Sequence, residues 1–98
     1  MQGTPGSQLI TADGVAGTSG KPLRIYSVHV ISGGGGGAVV NLRSGTAVGG
    51  TIRVAVTGTA SQGITFSFGE QGYLFESGCF VDVDANTTSV LLTEQVEL

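Results

Sequence analysis

The chain has 98 residues and a net charge of −3, and only 11% of its residues are charged, against roughly 25% in soluble domains. This length predicts one domain with one core. Duplex nucleic acid is not expected as a partner, because phosphate binding needs clustered basic side chains and Lys21, Arg24, Arg43 and Arg53 are the only four. No run approaches the roughly 18 apolar residues of a membrane helix, so no membrane contact is predicted.

The first 20 residues, MQGTPGSQLITADGVAGTSG, are rich in Gly, Thr and Ser and contain one short candidate strand at 8–12. They predict an N-terminal arm over residues 1–20 that is flexible or bound to a partner. From Lys21 onward, short β-branched and aromatic runs alternate with turn residues, which is typical of an all-β fold. We therefore expect a single antiparallel β-sandwich or small barrel of about seven to eight strands at 21–98. The predicted strands are 23–31, 38–43, 51–57, 63–68, 73–75, 79–84 and 88–96.

Period-two alternation within the runs predicts which side chains form the core. Phe66 is expected to be one of them, so that Phe66→Ala would cost about 3–5 kcal/mol. The run 23–31 is apolar on both faces, which predicts either a central strand or a strand whose second face contacts a neighbouring subunit. The other side chains predicted to point inward are Val40, Leu42, Ile52, Val54, Val56, Ile64, Phe68, Val81 and Val83.

Glycine-rich segments at 45–50 and 58–63 predict hairpins between strands that are adjacent in sequence. Five consecutive glycines at 33–37 are followed by a strand pattern and not by a helix, and no Gly-Lys-Ser or Gly-Lys-Thr ends the tract. Nucleotide binding is therefore not predicted. Two hypotheses remain for the tract, a mobile hairpin tip and a close-packing contact at a symmetry axis.

Asp82, Asp84 and Asn86 resemble the start of a calcium loop, because they place three oxygen ligands at alternate positions. Thr87 and Thr93 stand where that loop needs Gly and Glu. We therefore predict an Asx turn at this point and no metal site.

No catalytic residue and no cofactor are predicted, so the chain is not expected to be an enzyme. His29 shares a strand face with apolar residues, which favours a packed or interfacial imidazole. Cys79 lies between Gly78 and Phe80 and is expected to be a small buried side chain. Glu70 and Glu76 could form a carboxylate pair for glycoside cleavage, but short loops and the absence of Trp predict no sugar cleft.

The segments RIYSVHVISGG, AVVNLRSGTAVGGTIRVAVTG, ITFSFGEQGYLFESGCFVDVDA and TTSVLLTE follow one another within residues 21–94. Their order of strands, with an F-x-F strand, a G-x-x-F-x-x-G segment and a V-x-V strand, resembles small tailed-bacteriophage virion proteins and prophage-encoded β-domains. Leu42-Arg43-Ser44-Gly45 takes the place of the family's LRDG hairpin, with Ser where that pattern usually has Asp. The glycine tract is longer than the family pattern requires.

The resemblance implies a compact β-sandwich on a phage particle, commonly a capsid decoration or cement subunit. Such a subunit binds the outer capsid surface and stabilises contacts between major capsid subunits. The implied partners are the major capsid protein and other copies of the chain, in a homotrimer. The implied location is the virion surface, after synthesis in the host bacterial cytoplasm. The alternative is a tail, fibre or baseplate-associated module that binds a host receptor or glycan.

Candidate partner contacts come from the arm, from one face of the first long strand, from the glycine tract and from two arginines. Weakly charged surface in these places is suited to burial against another subunit. The candidates are Gln8, Leu9, Ile10, Leu23, Ile25, Gly35, Gly36, Arg43 and Arg53.

Overall fold

The computed structural model describes residues 2–17 and 21–97, which form nine β-strands and no helix. Seven of these strands coincide closely with the runs predicted at 23–96. The predicted all-β class is confirmed. The strands are β1 (Gln2–Ile10), β2 (Gly14–Ala16), β3 (Leu23–Ser32), β4 (Val39–Ser44), β5 (Ile52–Thr57), β6 (Gly63–Ser67), β7 (Tyr73–Phe75), β8 (Cys79–Val83) and β9 (Thr87–Glu97).

The described strands form two antiparallel sheets that pack face to face. Sheet A has the order β1-β9-β3-β6, and β7 pairs with β3 beside β6. Sheet B has the order β2-β8-β4-β5. The chain crosses between the sheets after β1, β2, β3, β5, β7 and β8, and this connectivity is that of a jelly roll. The predicted antiparallel β-sandwich is therefore confirmed.

The extended N-terminal arm predicted over residues 1–20 is not confirmed. Within the described part of that segment, β1 pairs with β9 from Gln2 to Ile10, and β2 pairs with β8. The side chains of Ile10 and Ala16 are buried in the core. Edge strands are held mainly by backbone hydrogen bonds, so a segment rich in Gly, Ser and Thr can join a sheet with few apolar side chains.

The core lies between the two sheets and is mostly aliphatic. A β-bulge at Tyr26 changes the side-chain phase of β3, because Ile25 pairs with Glu94 while Ser27 pairs with Thr93. Both ends of the strand can then point inward, which explains why the run is apolar on both faces. The core side chains with no exposed surface include Leu23, Ile25, Val28, Val30, Val40, Leu42, Val81, Val90 and Leu92.

The inward position predicted for Ile52 is wrong, since 46% of the residue is exposed. A bulge in the β4–β5 pairing sets Leu42 opposite Val54 but Arg43 opposite Ile52. Directly opposed residues share a face, so Ile52 lies with Arg43 on the outer face of sheet B. Strict alternation could not reveal this change of phase.

The core positions predicted for Phe66 and Ile64 are confirmed in direction only, since 48% and 42% of these residues are exposed. Both face inward, opposite Val28 and Val30 of β3. Because β6 is an edge strand, sheet B covers its inner face incompletely. The inward direction was predictable from alternation, whereas the position at the edge was not.

The hairpin predicted at 45–50 is confirmed, because β4 and β5 are antiparallel neighbours in sheet B. The hairpin predicted at 58–63 is wrong, because β5 belongs to sheet B and β6 to sheet A. Turn residues indicate that the chain reverses direction. They do not indicate whether it stays in the same sheet.

The glycine tract at 33–37 crosses from sheet A to sheet B, so it is not a hairpin tip. The Gly33 N–H donates to the Asn86 carbonyl at 2.8 Å, and the Gly33 carbonyl accepts from the Ser61 N–H at 2.9 Å. A Cβ on Gly37 would collide with the Gly58 carbonyl oxygen. The tract therefore allows close packing against two loops of its own chain.

Gly37→Ala is expected to lower the free energy of unfolding by about 1–3 kcal/mol, because the added methyl group overpacks a backbone contact. Gly49→Ala is the matched control, since a Cβ there meets nothing within 4 Å and should change stability by less than about 0.5 kcal/mol. Urea unfolding monitored by circular dichroism measures both. Equal effects would contradict the close packing of the tract.

Leu42→Ala should destabilise the fold by about 2–5 kcal/mol, because Leu42 has no exposed surface and its removal leaves a cavity. Phe66→Ala should cost clearly less, because almost half of Phe66 already contacts solvent. Urea unfolding of the two variants compares them directly. A larger loss for Phe66→Ala would show that the β6 edge is covered.

Candidate interaction surface

The nine predicted contact residues do not lie on one surface of the structure. Ile10, Leu23 and Ile25 point into the core, so they are not available to a partner and this part of the prediction is corrected. The Gln8 side chain accepts a hydrogen bond from the Gly17 N–H at 2.8 Å. Leu9 is 62% exposed, and it is the strongest of the nine candidates.

Four other candidates lie outside sheet A, in sheet B or in the connection between β3 and β4. Arg43 binds the Asp82 carboxylate through Nε at 3.1 Å and Nη2 at 3.0 Å, and its Nη1 donates to the Gly50 carbonyl at 3.0 Å. Arg43 therefore fastens the β4–β5 turn to β8. Gly35 is exposed and Gly36 half-buried in the sheet-crossing connection. Arg53 is the extra residue at the bulge in β5 and is exposed.

On the solvent side of sheet A, the described residues of β1, β9, β3 and β6 between the row of Ser27 and the row of Ile31 include no charged side chain, whereas Arg24 lies on the same side beyond the bulge at Tyr26. Cross-strand register places Leu9, Leu91, His29 and Thr65 in one row. The exposed fractions of Leu9, Leu91 and Ile31 are 62%, 39% and 39%. We call this surface the outer face of sheet A, and its residues are Ser7, Leu9, Ser27, His29, Ile31, Thr65, Ser67, Ser89, Leu91 and Thr93.

Polar side chains on this face hydrogen-bond to one another. The hydroxyl groups of Ser27 and Thr93 are 2.5 Å apart, and His29 Nδ1 lies 2.6 Å from Thr65 Oγ1. Partly satisfied hydroxyl and imidazole groups cost less to remove from water than isolated ones. The face is therefore better suited to burial than a charged sheet surface would be.

Sequence reasoning found Leu9, and one of its two alternatives for the run 23–31 placed Ile31 against a neighbouring subunit, but it missed Leu91 as a member of this face. Leu91 alternates with the buried Val90 and Leu92, and this alternation was the available signal. The side-by-side arrangement of Leu9, Leu91 and His29 depends on strand order, which local sequence does not encode.

A cavity of about 310 Å³ lies between β5 and β7. It adjoins a row of rings in which the centroids of Phe66 and Phe68, Phe68 and Tyr73, and Tyr73 and Phe75 are 5.0, 5.8 and 4.9 Å apart. Glu76 lines the cavity and Glu70 does not, so the structure does not bring the two carboxylates together there. The lining residues are Ser44, Arg53, Tyr73, Leu74, Phe75, Glu76 and Ser77.

The loop that resembles a calcium site is held by its own hydrogen bonds. Asp84 Oδ1 accepts from Thr87 Oγ1 at 2.8 Å and from the Asn86 N–H at 3.2 Å. Desolvation acts to raise the pKa of Asp84, but hydrogen bonds from Thr87, Val39 and Asn86 outweigh it and lower the pKa. Asp82 is bound by Arg43. Among the described residues no cluster of His, Cys, Asp and Glu could hold a metal ion.

Cys79 is completely buried. Burial raises the pKa of its thiol to about 12, and the charge of nearby Glu94 adds to this shift. The side chain is therefore a neutral thiol at neutral pH, unlike the thiolate of a reactive cysteine. Cys79 packs as a small apolar group, as predicted from its neighbours.

Glu94 lies where β9 faces the interior, since it pairs with the buried Ile25. Its Oε2 atom is buried and has no hydrogen-bond partner among the described residues. Burial raises the pKa of Glu94 above its ordinary value of 4.5. Folding therefore favours the protonated form of Glu94. The contribution of this preference to the free energy of unfolding is present at low pH and is lost as pH rises through the folded pKa.

Glu94→Gln should raise the melting temperature at neutral pH, because it removes a partly desolvated charge. The gain should shrink below the ordinary pKa of 4.5, where the wild-type side chain is also neutral. Thermal unfolding at acidic and neutral pH measures this difference. Glu76→Gln is the exposed control, and an equal gain from it would contradict the burial of Glu94.

No family model matches the chain, and no curated protein matches it. A chain from a solved structure of Bacillus endospore appendages, described as a novel family of disulfide-linked pili, is similar in fold. The TM-score is 0.58 and the sequence identity 13%, and the match covers 100% of this chain and 91% of that chain. This similarity shows the fold alone. Within the described residues, no helix has the length and hydropathy to span a membrane.

Proposed function

We propose that this chain is a non-catalytic structural subunit of a larger protein assembly and attaches through the outer face of sheet A. The observation that carries the proposal is the absence of charged residues from that face, together with the 62% exposure of Leu9. Charged side chains are depleted in the centres of protein interfaces. They normally also limit unwanted association of soluble proteins.

The size of the face favours attachment of many copies over one tight contact. Four strands about 4.8 Å apart and five residues at about 3.4 Å each span roughly 300 Å², less than the roughly 800 Å² per partner of a standard interface. Covering Leu9 contributes about 1–2 kcal/mol, because complete burial of a leucine contributes about 1.5–3 kcal/mol. An assembly with many equivalent sites compensates for weak single contacts.

The setting that we propose is the surface of a tailed-phage capsid, as the sequence resemblance implies. There the chain is a decoration subunit whose partners are the major capsid protein and other copies of the chain. A compact sandwich with an uncharged face is compatible with this role. The sequence supports the phage setting, and the structure supports the surface that is used.

A second candidate is a subunit of an extracellular fibre, which the similarity to an endospore appendage chain favours. That protein is described as forming disulfide-linked pili. In this chain the single cysteine, Cys79, has no exposed surface. We therefore propose no disulfide link between copies through Cys79, and a fibre would be held by non-covalent contacts.

Leu9→Glu is expected to weaken binding to empty capsids of a tailed phage that encodes this chain by tenfold or more. The variant places a charge in the face that becomes covered, and tenfold corresponds to about 1.4 kcal/mol. Val48→Glu is the matched control, since Val48 is 56% exposed in the β4–β5 turn and the variant has the same net charge. Co-sedimentation with capsids measures both variants.

Binding that is lost equally in both variants would count against the outer face of sheet A. A wild-type chain that does not bind capsids but forms filaments in electron micrographs would favour the fibre. A wild-type chain that does neither would contradict the assembly function.

A further inference from the structure

Strand β6 is an unprotected sheet edge. Natural edge strands are commonly blocked by charge, proline, bulges or short length. Among the other described edges, β1 contains Pro5 and a bulge, β5 has a bulge at Arg53, and β2 and β7 have three residues each. In contrast, β6 has five residues and a regular register along β3. No charged residue occurs between positions 59 and 69.

Two hydrogen bonds establish which backbone groups of this edge are unpaired within the sheet. The Phe68 N–H donates to the Tyr26 carbonyl at 2.9 Å, and the Ser32 N–H donates to the Gln62 carbonyl at 3.0 Å. Antiparallel hydrogen-bonded pairs recur every second residue. Even-numbered residues therefore bond to β3, and the N–H and C=O groups of Gly63, Thr65 and Ser67 point toward the open edge.

We propose that β6 pairs antiparallel with β6 of a second copy of this chain, around a two-fold axis beside Thr65. In that register Thr65 opposes Thr65 of the second copy, and Gly63 opposes Ser67 of the second copy. These residues are the ones whose backbone groups face the edge. Each of the three opposed pairs exchanges two hydrogen bonds, so the outward groups of both strands are satisfied together.

The side chains match in the same register. Ile64, 42% exposed, comes opposite Phe66 of the second copy, and Phe66, 48% exposed, comes opposite Ile64 of the second copy. Aromatic pairs with β-branched residues, and Thr pairs with Thr, are favourable across antiparallel strands. Both exposed apolar residues on the inner face of β6 are therefore covered by one contact.

The size of the contact predicts a weak dimer. The register centred on Thr65 opposes five residues of each copy, Gly63–Ser67, about 17 Å at 3.4 Å per residue. The smallest extent of the molecule is 18 Å. The β6 edge therefore covers roughly 300 Å² per copy and about 600 Å² in total, in the range of weak, transient interfaces.

Charge also favours a second copy. The nearest charged residue in sequence is Glu70, which lies beyond the uncharged segment 59–69. Antiparallel pairing sets the end of β6 next to Gly63 and Gln62 of the second copy, so Glu70 does not meet its own equivalent. Arg53 also lies away from the proposed contact. It lines the cavity near β7, and β7 pairs with Leu23–Ile25, whereas Ile64 pairs at the opposite end of β3.

This dimer forms through the backbone edge of β6, whereas the proposed attachment uses the solvent side of sheet A. Thr65 and Ser67 belong to both surfaces, but the strand pairing does not depend on the attachment. The pairing would extend sheet A across the two-fold axis and join the outer faces of two copies. A two-fold contact through β6 does not close a trimer, so it differs from the homotrimer that the sequence resemblance implies.

Multi-angle light scattering of the purified chain at about 100 μM, above the dissociation constant expected of a weak specific interface, tests the proposal. Wild type should have twice the chain mass of 9.8 kDa. Thr65→Lys should have the mass of one chain, because it sets two ammonium groups beside the axis. Thr51→Lys adds the same charge at an exposed position outside β6 and should remain dimeric. Far-ultraviolet circular dichroism checks that each variant is folded.

A cysteine cross-link reports the register directly. Opposed Cα atoms of a hydrogen-bonded antiparallel pair are about 5.5 Å apart, within the roughly 4.4–6.8 Å that disulfides span. Thr65→Cys should form a covalent dimer on mild oxidation, and Thr51→Cys should not. Native Cys79 is buried and should not interfere.

A dimeric wild type that Thr65→Lys dissociates and Thr65→Cys cross-links supports the β6 interface. A monomeric or trimeric wild type overturns it, as does a dimer that Thr65→Lys leaves intact. These experiments contain no capsid, so their failure is distinct from a failure of the attachment through Leu9.

Discussion

The pairing of β3 with β9 is the constraint on which the rest of the structure depends. It runs from Leu23 to Ser32 and occupies the centre of sheet A, with β1 on one side and β6 and β7 on the other. The bulge at Tyr26 lies within this pairing. Without it, strict alternation would turn either the first or the second half of β3 away from sheet B, and the core would lose aliphatic side chains at one end.

The two sheets differ in the side chains that they present to solvent. Sheet B bears the Arg43–Asp82 ion pair, which holds the β4–β5 turn and gives that face charge of both signs. Sheet A has hydroxyl groups, His29 and exposed leucines on its outer face, and its β6 edge has no charge. Association through this outer face or through β6 therefore requires little desolvation of charge, whereas association through sheet B requires more.

The interior also contains two side chains whose protonation depends on burial. Cys79 stays a thiol because burial raises its pKa to about 12, and Glu94 has a buried, unpaired oxygen at the same end of the sandwich. Because this single thiol is buried, it is not accessible to a cysteine of another chain while the protein is folded. Folding favours an uncharged Glu94, so this residue destabilises the fold least under acidic conditions.

The sequence alone determined the all-β class, the places of most strands and the inward direction of residues such as Val40, Leu42 and Val81. Those features depend on alternation and turn chemistry within a few residues. Only the tertiary structure decided that residues 2–16 join both sheets, that Phe66 lies at an edge, and that Leu9, His29 and Leu91 share one row. Sheet membership, bulges and strand order arise from contacts between residues distant in sequence, and local patterns do not encode them.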